Sequence, residues 1–269
     1  MNNTDKRNAS VDGGRLSVVP NLFTLLNLVF GCLAILAVLQ NGLILTGTDS
    51  GDSLIVLPEK IYMVSVFIAC AAVIDFLDGF VARLLKASSE MGKQLDSLAD
   101  VVSFGVAPGL IIYQFLRLSF SQQEDGLDTS ILWLLPAFIV PCAGAYRLAR
   151  FNIDTEQSFG FKGVPIPAAG ILIAAFPLIY WFTDQAWIIQ LLHNFWFWYA
   201  LIFVVSYLMV STLPMMALKF KAPTVKKLMP FIIIAVIAIA SAFIFQWMAV
   251  PVTFIAYVIL SLLNKQKQS

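Results

Sequence analysis

The chain has 269 residues, is 59% hydrophobic and carries a formal net charge of +1, with a mean hydropathy of +0.85. Soluble domains are nearer about 45–50% apolar, so a soluble fold is excluded, and so small a net charge gives no global field that would draw nucleic acid. Runs long and apolar enough to cross a bilayer recur throughout, too long and too unalternating for a β-barrel, and predict an all-α, polytopic transmembrane helical bundle.

The elements follow in chain order. A polar segment over 1–19 precedes an apolar run too long for a cleaved signal peptide, which reads as a retained first span. Eight spans are expected, at about 20–41, 61–83, 96–117, 131–150, 165–183, 190–211, 227–247 and 249–264. The glycines of the 42–53 loop read as a turn. An even number of spans puts both termini on one side, and 15 of the 17 Lys and Arg residues fall on that side, with only Lys60 and Arg117 opposite. The positive-inside rule makes the side of the termini cytoplasmic. Cys32, Cys70 and Cys142 each lie inside an apolar run and read as small buried side chains. His193, beside Asn194 and a Trp/Phe/Tyr-rich stretch, reads as part of an aromatic belt. The basic loop with Lys219, Lys221, Lys226 and Lys227 reads as a contact for anionic membrane lipids.

Polar residues inside the spans are the candidates for function. Asn21, Thr24 and Asn27 share one helical face at the mouth of the first span, placed either to bind a nucleotide or metal-bound phosphates or simply to start the helix. The second and third spans carry Asp75-x-x-Asp78-Gly79-x-x-Ala82-Arg83 and Gly92-x-x-x-Asp96-x-x-x-Asp100. A carboxylate near the bilayer core costs roughly 2.5–3.5 kcal/mol on insertion scales, so four in this stretch require neutralisation. Each set falls on one face of its helix, and a short connection makes the two helices antiparallel neighbours, so the faces can meet. Four convergent carboxylates select hard divalent cations such as Mg²⁺ or Mn²⁺, and a two-metal centre suits displacement at phosphorus. Gly79, Ala82 and Gly92 lack bulk and let a diphosphate approach; Arg83 can neutralise its charge. An ion path lined by the same aspartates, as in a cation-coupled transporter, is the alternative, but it gives the glycines, Ala82 and Arg83 no task. Arg147 and Arg150, three apart on the fourth span, are placed to clamp an anion or to anchor the helix end by snorkelling. Asn152 and Lys162 lie near them in sequence. Ser103 sits one turn past Asp100, to contact an acceptor or to bond back to its own helix.

At the aspartate motif the chain resembles the CDP-alcohol phosphotransferase family and matches its fixed positions. The resemblance implies transfer of a phosphatidyl or phosphoalcohol group from a CDP-linked donor to an alcohol, with release of CMP. It implies that Asp75, Asp78, Asp96 and Asp100 hold two divalent cations, Mg²⁺ or Mn²⁺, and that Asp100 is also the general base. Gly79, Ala82, Arg83 and Gly92 would contact the CDP moiety. The segments Pro20–Asn27, Leu95–Gly105, Arg147–Asn152 and Phe161–Pro167 resemble the serine-accepting branch of the family. That resemblance implies CDP-diacylglycerol as donor, L-serine as acceptor, residence in the cytoplasmic membrane among its lipids and a homodimer. A sister enzyme acting on glycerol 3-phosphate or an inositol phosphate stays open, since Arg147, Arg150 and Lys162 could serve an acceptor's phosphate. The expected organisation is a catalytic core over 20–183, further helices over 184–264 and a cytoplasmic tail over 265–269.

Overall fold

The computed structural model describes residues 18–47, 53–85, 89–123, 126–153, 161–216 and 225–265. Helix α1 (Val18–Gln40) buries Pro20, Thr24, Asn27, Gly31, Ala34 and Val38, a stripe of mostly small residues at helical spacing that lets other backbones come close. Helix α2 (Tyr62–Leu84) packs along it. Its buried stripe runs Val64, Ile68, Ala71 and then Asp78; Asp75 falls in register with it. The carboxylates thus occupy core positions at one end of a helix whose other core positions are apolar.

Helix α3 (Glu90–Asp100) starts where Ser89 caps it, its Oγ accepting from Gly92 N at 3.0 Å, with Glu90 favourably placed in the first turn. The helical run therefore begins six residues before the expected third span. It passes through a π-helical segment, Val101–Val106, into α4 (Ala107–Ser121). This widened segment is the hub of the bundle. A Cβ on Gly31 of α1 would strike Ser103 Oγ, and one on Gly105 would meet Pro141 Cα at 3.4 Å. Widened turns of this kind recur at functional sites.

Short 3₁₀ turns at Ile131–Trp133 and Leu135–Phe138 lead into α5 (Ile139–Ile153), so the expected fourth span is only partly α-helical. After α6 (Ile166–Phe182), the expected sixth span is broken. Helix α7 (Ala186–Leu192) meets α8 (Phe195–Val210) at a 71° bend, where Asn194 Oδ1 caps Trp196 N at 2.9 Å. His193 sits at the break, half-buried, its ring 6.0 Å from that of Tyr180. Helices α9 (Val225–Phe245) and α10 (Ala249–Lys265) turn back on each other through Gln246–Met248, with Gln246 at φ 50°. Ile234 and Ala238 face Thr253 and Tyr257 across a shared cleft.

Among the described residues, five helical runs are long and apolar enough to cross a membrane, or six with the bent pair α7–α8 as one. The expectation of eight exceeds this for two reasons. Helix α6 has only 17 residues, and Leu228–Leu263 is one 36-residue run that the structure folds into two. Among the described residues, two small two-stranded sheets interrupt the otherwise helical fold. Strands β1 (Ile44–Gly47) and β2 (Ser53–Val56) pair antiparallel where the sequence reads as a turn, and β3 (Phe161–Lys162) pairs with β4 (Pro214–Met215). Cys32 and Cys142 are exposed, not buried; a lipid-facing flank is as apolar as an interior, so composition does not separate the two.

Candidate active site

The site lies where α1, α2 and α3 come together at one end of the bundle. Carboxylate oxygens of Asp75, Asp78 and Asp96 lie within 4.8 Å of one another. Asp100, one turn deeper on α3, is 6% exposed. It faces Asp75 at hydrogen-bonding reach, and its Oδ1 has no partner among the described residues. The two facing pairs expected from helical spacing are therefore brought together as a trio with a fourth carboxylate behind it. Thr24 Oγ1 donates to Asp78 Oδ2 at 2.6 Å and fixes that side chain. The donor set is all oxygen, buried at Asp78 and Asp100 and half-buried at Asp75 and Asp96, with Asp100 Oδ1 unpartnered among the described residues. It fits a hard divalent cation, because an uncompensated cluster of like charges would otherwise be left in the bundle.

Beside the trio is a cavity of about 220 Å³, lined among others by Asn21, Thr24, Gly79, Ala82, Gly92 and Asp96. Five of the expected nucleotide-contacting residues (Asn21, Thr24, Gly79, Ala82 and Gly92) thus share one wall. A Cβ on Gly79 would meet nothing within 4 Å, so packing does not explain that glycine. A Cβ on Gly92 would meet Asn21 Oδ1 at 2.9 Å and Ser89 Oγ at 3.0 Å. Arg83 is exposed and outside that lining; its Nε donates to Gly79 O at 2.8 Å on its own helix. Sequence reasoning missed Ser89 and Lys93, which also line the cavity. The Ser-x-x-Gly capping pattern and the lysine next to Gly92 were the available signals. Lys93 Nζ donates to Asn152 O at 3.1 Å.

Asn27, one turn along α1 from Thr24, is fully enclosed, and neither atom of its carboxamide has a partner among the described residues. Its backbone oxygen accepts from Ser103 Oγ at 3.1 Å. Ser103 thus joins α1 to the π-helical segment, and among the described residues its hydroxyl donates to α1 and not to its own helix.

The cations of α5 form a second pocket. Arg147, Arg150 and Lys162 line it together with Met209, Val210 and Ser211, and at about 10 Å³ it is a narrow recess with room for about one water, so an acceptor group would enter only as these side chains part. Arg147 is 7% exposed, its Nε has no partner among the described residues, and Asp100 lies within its electrostatic reach. Arg150 donates to Val210 O at 3.3 Å. Asn152 stands apart from this pocket, its Nδ2 bonding to Ser97 Oγ at 2.8 Å and tying α5 to α3.

A family model described as CDP-alcohol phosphatidyltransferase matches residues 17–196. Several curated proteins named CDP-diacylglycerol–serine O-phosphatidyltransferase are similar to the chain. One from Helicobacter pylori is 44% identical over 108 residues, covering 39% of this chain and 42% of its own length. One from Bacillus subtilis is 31% identical over 165 residues, 61% of this chain and 78% of its own length. One from Mycobacterium tuberculosis is 31% identical over 255 residues, 91% of this chain and 77% of its own length. The chain thus spans less than half of the Helicobacter relative and about three quarters of the other two.

Proposed function

The chain belongs to the CDP-alcohol phosphatidyltransferase family, and from that premise we propose that it transfers the phosphatidyl group of CDP-diacylglycerol to the hydroxyl of L-serine, giving phosphatidylserine and CMP. The observation that carries this reading is the trio Asp75, Asp78 and Asp96, backed by Asp100 and bordering a small-residue cavity. The serine-specific part is supported by the relatives, which bear that activity in their names.

Asp75, Asp78, Asp96 and Asp100 would hold two divalent cations, Mg²⁺ or Mn²⁺, which when bound supply charge neutralisation at the diphosphate. The wall of Asn21, Thr24, Gly79, Ala82 and Gly92 takes the CDP moiety, with Arg83 and Lys93 placed to turn toward its phosphates. An apolar groove of about 610 Å³ runs along α2 from Tyr62 to Ile74, one residue short of Asp75, and between Phe30 and Leu178. It suits an acyl chain of the donor. Arg147, Arg150 and Lys162 take the acceptor's carboxylate or the donor's lipid-linked phosphate. Asp100, buried behind the trio, accepts the proton of the serine hydroxyl. The oxygen then forms its bond to the phosphorus that bears diacylglycerol, the phosphoanhydride bond to CMP breaks, and CMP leaves in line. Positioning and electrostatic stabilisation carry the catalysis, without a covalent enzyme intermediate. The enzyme would work in the cytoplasmic membrane with the site and both termini on the cytoplasmic side, and a homodimer is the expected assembly.

The test is direct. Purified protein is incubated with CDP-diacylglycerol, Mg²⁺ or Mn²⁺, and each labelled acceptor in turn, and CMP and lipid product are followed. Serine-dependent CMP release with phosphatidylserine as product is expected. Release only with glycerol 3-phosphate or an inositol phosphate would replace the acceptor, and no release with any alcohol would remove the transferase reading.

A further inference from the structure

Helix α10 lies wholly beyond the family match over 17–196, and sequence alone gave it no task. In the structure it reaches back to Met216, the residue that follows β4. The Tyr257 hydroxyl donates to Met216 O at 3.2 Å, and Met216 N donates to Ser261 Oγ at 3.4 Å. Ser261 is buried, at 2% exposure. These two bonds hold the backbone at the end of β4 from both its donor and its acceptor side. Strand β4 pairs with β3, placing Pro214 opposite Lys162. The chain after Lys162 is pinned in turn, since Gly163 N donates to Leu213 O at 2.8 Å and Val164 N to Leu208 O at 3.0 Å. Gly163 has φ 77°, and a Cβ there would strike Met209 O, so the turn behind Lys162 admits only glycine.

We propose that α10 is part of the acceptor site: Tyr257 and Ser261 are positioning residues that hold the β3–β4 ribbon, and through it Lys162, against Arg147 and Arg150, and so set affinity for the carboxylate of a small zwitterionic acceptor. Two hydroxyls on one face of a helix, one turn apart, both spent on the single residue that follows a two-residue strand, have no such specific task in a helix that merely fills the bilayer. Positioning shells of this kind change binding of the group they support more than they change the fold. The inference rests on the acceptor reading of the basic pocket given above.

The test uses the full chain in detergent or nanodiscs, with Tyr257→Phe and Ser261→Ala singly and together, and Lys162→Ala as the reference. The double variant is expected to raise KM for L-serine about 5–20-fold, in the same direction as Lys162→Ala, while KM for CDP-diacylglycerol, kcat and the thermal midpoint stay within about twofold or a few degrees. A serine KM unchanged in the double variant but raised by Lys162→Ala would overturn the role of α10 and leave the acceptor pocket standing. A rise of both KM values together with a lowered midpoint would reduce α10 to a structural prop and overturn the proposal. A serine KM insensitive to Lys162→Ala and Arg150→Ala would remove the acceptor reading itself, and the α10 role with it.

Discussion

Thr24 Oγ1 donates to Asp78 Oδ2 at 2.6 Å across 54 residues of sequence. The same hydroxyl lies 3.2 Å from Pro20 O, one turn back on its own helix. It is therefore fixed by α1 and aimed at α2, so the rotamer of one carboxylate in the trio is set by a neighbouring helix. Thr24→Val keeps the shape and removes the donor. A hydrogen bond to a charged group contributes about 1.5–3 kcal/mol, and losing such a support weakens a metal site by about 10–100-fold. The Mn²⁺ concentration for half-maximal thermal protection should rise by that order, with Thr24→Ser close to the parent. An unshifted Mn²⁺ midpoint in Thr24→Val would leave the bond without a role at the site.

Asp100→Asn should lower turnover by at least about 10²–10⁴-fold, the range supplied by a positioned general base. Binding of CDP-diacylglycerol, read as ligand-induced thermal stabilisation, should change by less than about tenfold. Turnover near the parent value in this variant would take the proton-accepting role away from Asp100.

Stripping divalent metal with EDTA should abolish CMP release, and adding back Mg²⁺ or Mn²⁺ should restore it. Independently of activity, Mn²⁺ should raise the thermal midpoint of the parent, and less so that of Asp75→Asn or Asp96→Asn. Activity that survives exhaustive chelation would sink the two-metal reading.

Gly79 and Gly170 should respond in opposite ways to alanine. A Cβ on Gly170 would come within 2.8–2.9 Å of Phe104 Cβ and Cα in the π-helical hub. Gly170→Ala should destabilise by about 1–3 kcal/mol through overpacking, seen as a lower thermal midpoint. A Cβ on Gly79 meets nothing within 4 Å, so Gly79→Ala should leave the midpoint unchanged and raise KM for CDP-diacylglycerol. Equal loss of stability in both would mean that Gly79 is also a packing residue.

Much of the catalytic end could be read from residue spacing. Asp75 and Asp78 fall on the stripe Val64, Ile68 and Ala71, and a helical period carries polar and apolar residues to the same face alike. The glycines at 79 and 92 and Ala82 were legible for the same reason, being small residues in phase with the aspartates. Ser103 was not, because the sequence places it in phase with Asp100 while the π-helical segment, packed against Gly31, turns it to Asn27 O. A widened turn leaves no mark in hydrophobic periodicity. The break at His193–Asn194 was likewise hidden, since apolar residues continue on both sides of it, whereas the turn at Gln246–Met248 falls where the sequence divides its last two spans.

The sequence by itself determined that this is a helical membrane protein, that four aspartates share a face with small residues, and that the chain is similar to CDP-alcohol phosphotransferases. These follow from composition and local period, which need no knowledge of what packs against what. Only the tertiary structure decided which carboxylates converge, that Thr24 holds one of them, and that Arg147, Arg150 and Lys162 line one pocket although Lys162 arrives on a separate strand. It also decided that α10, without a motif of its own, bonds Met216 at the end of the strand that pairs with Lys162. Such contacts join residues tens of positions apart, and they are fixed by how close two backbones come, which small residues permit but do not direct.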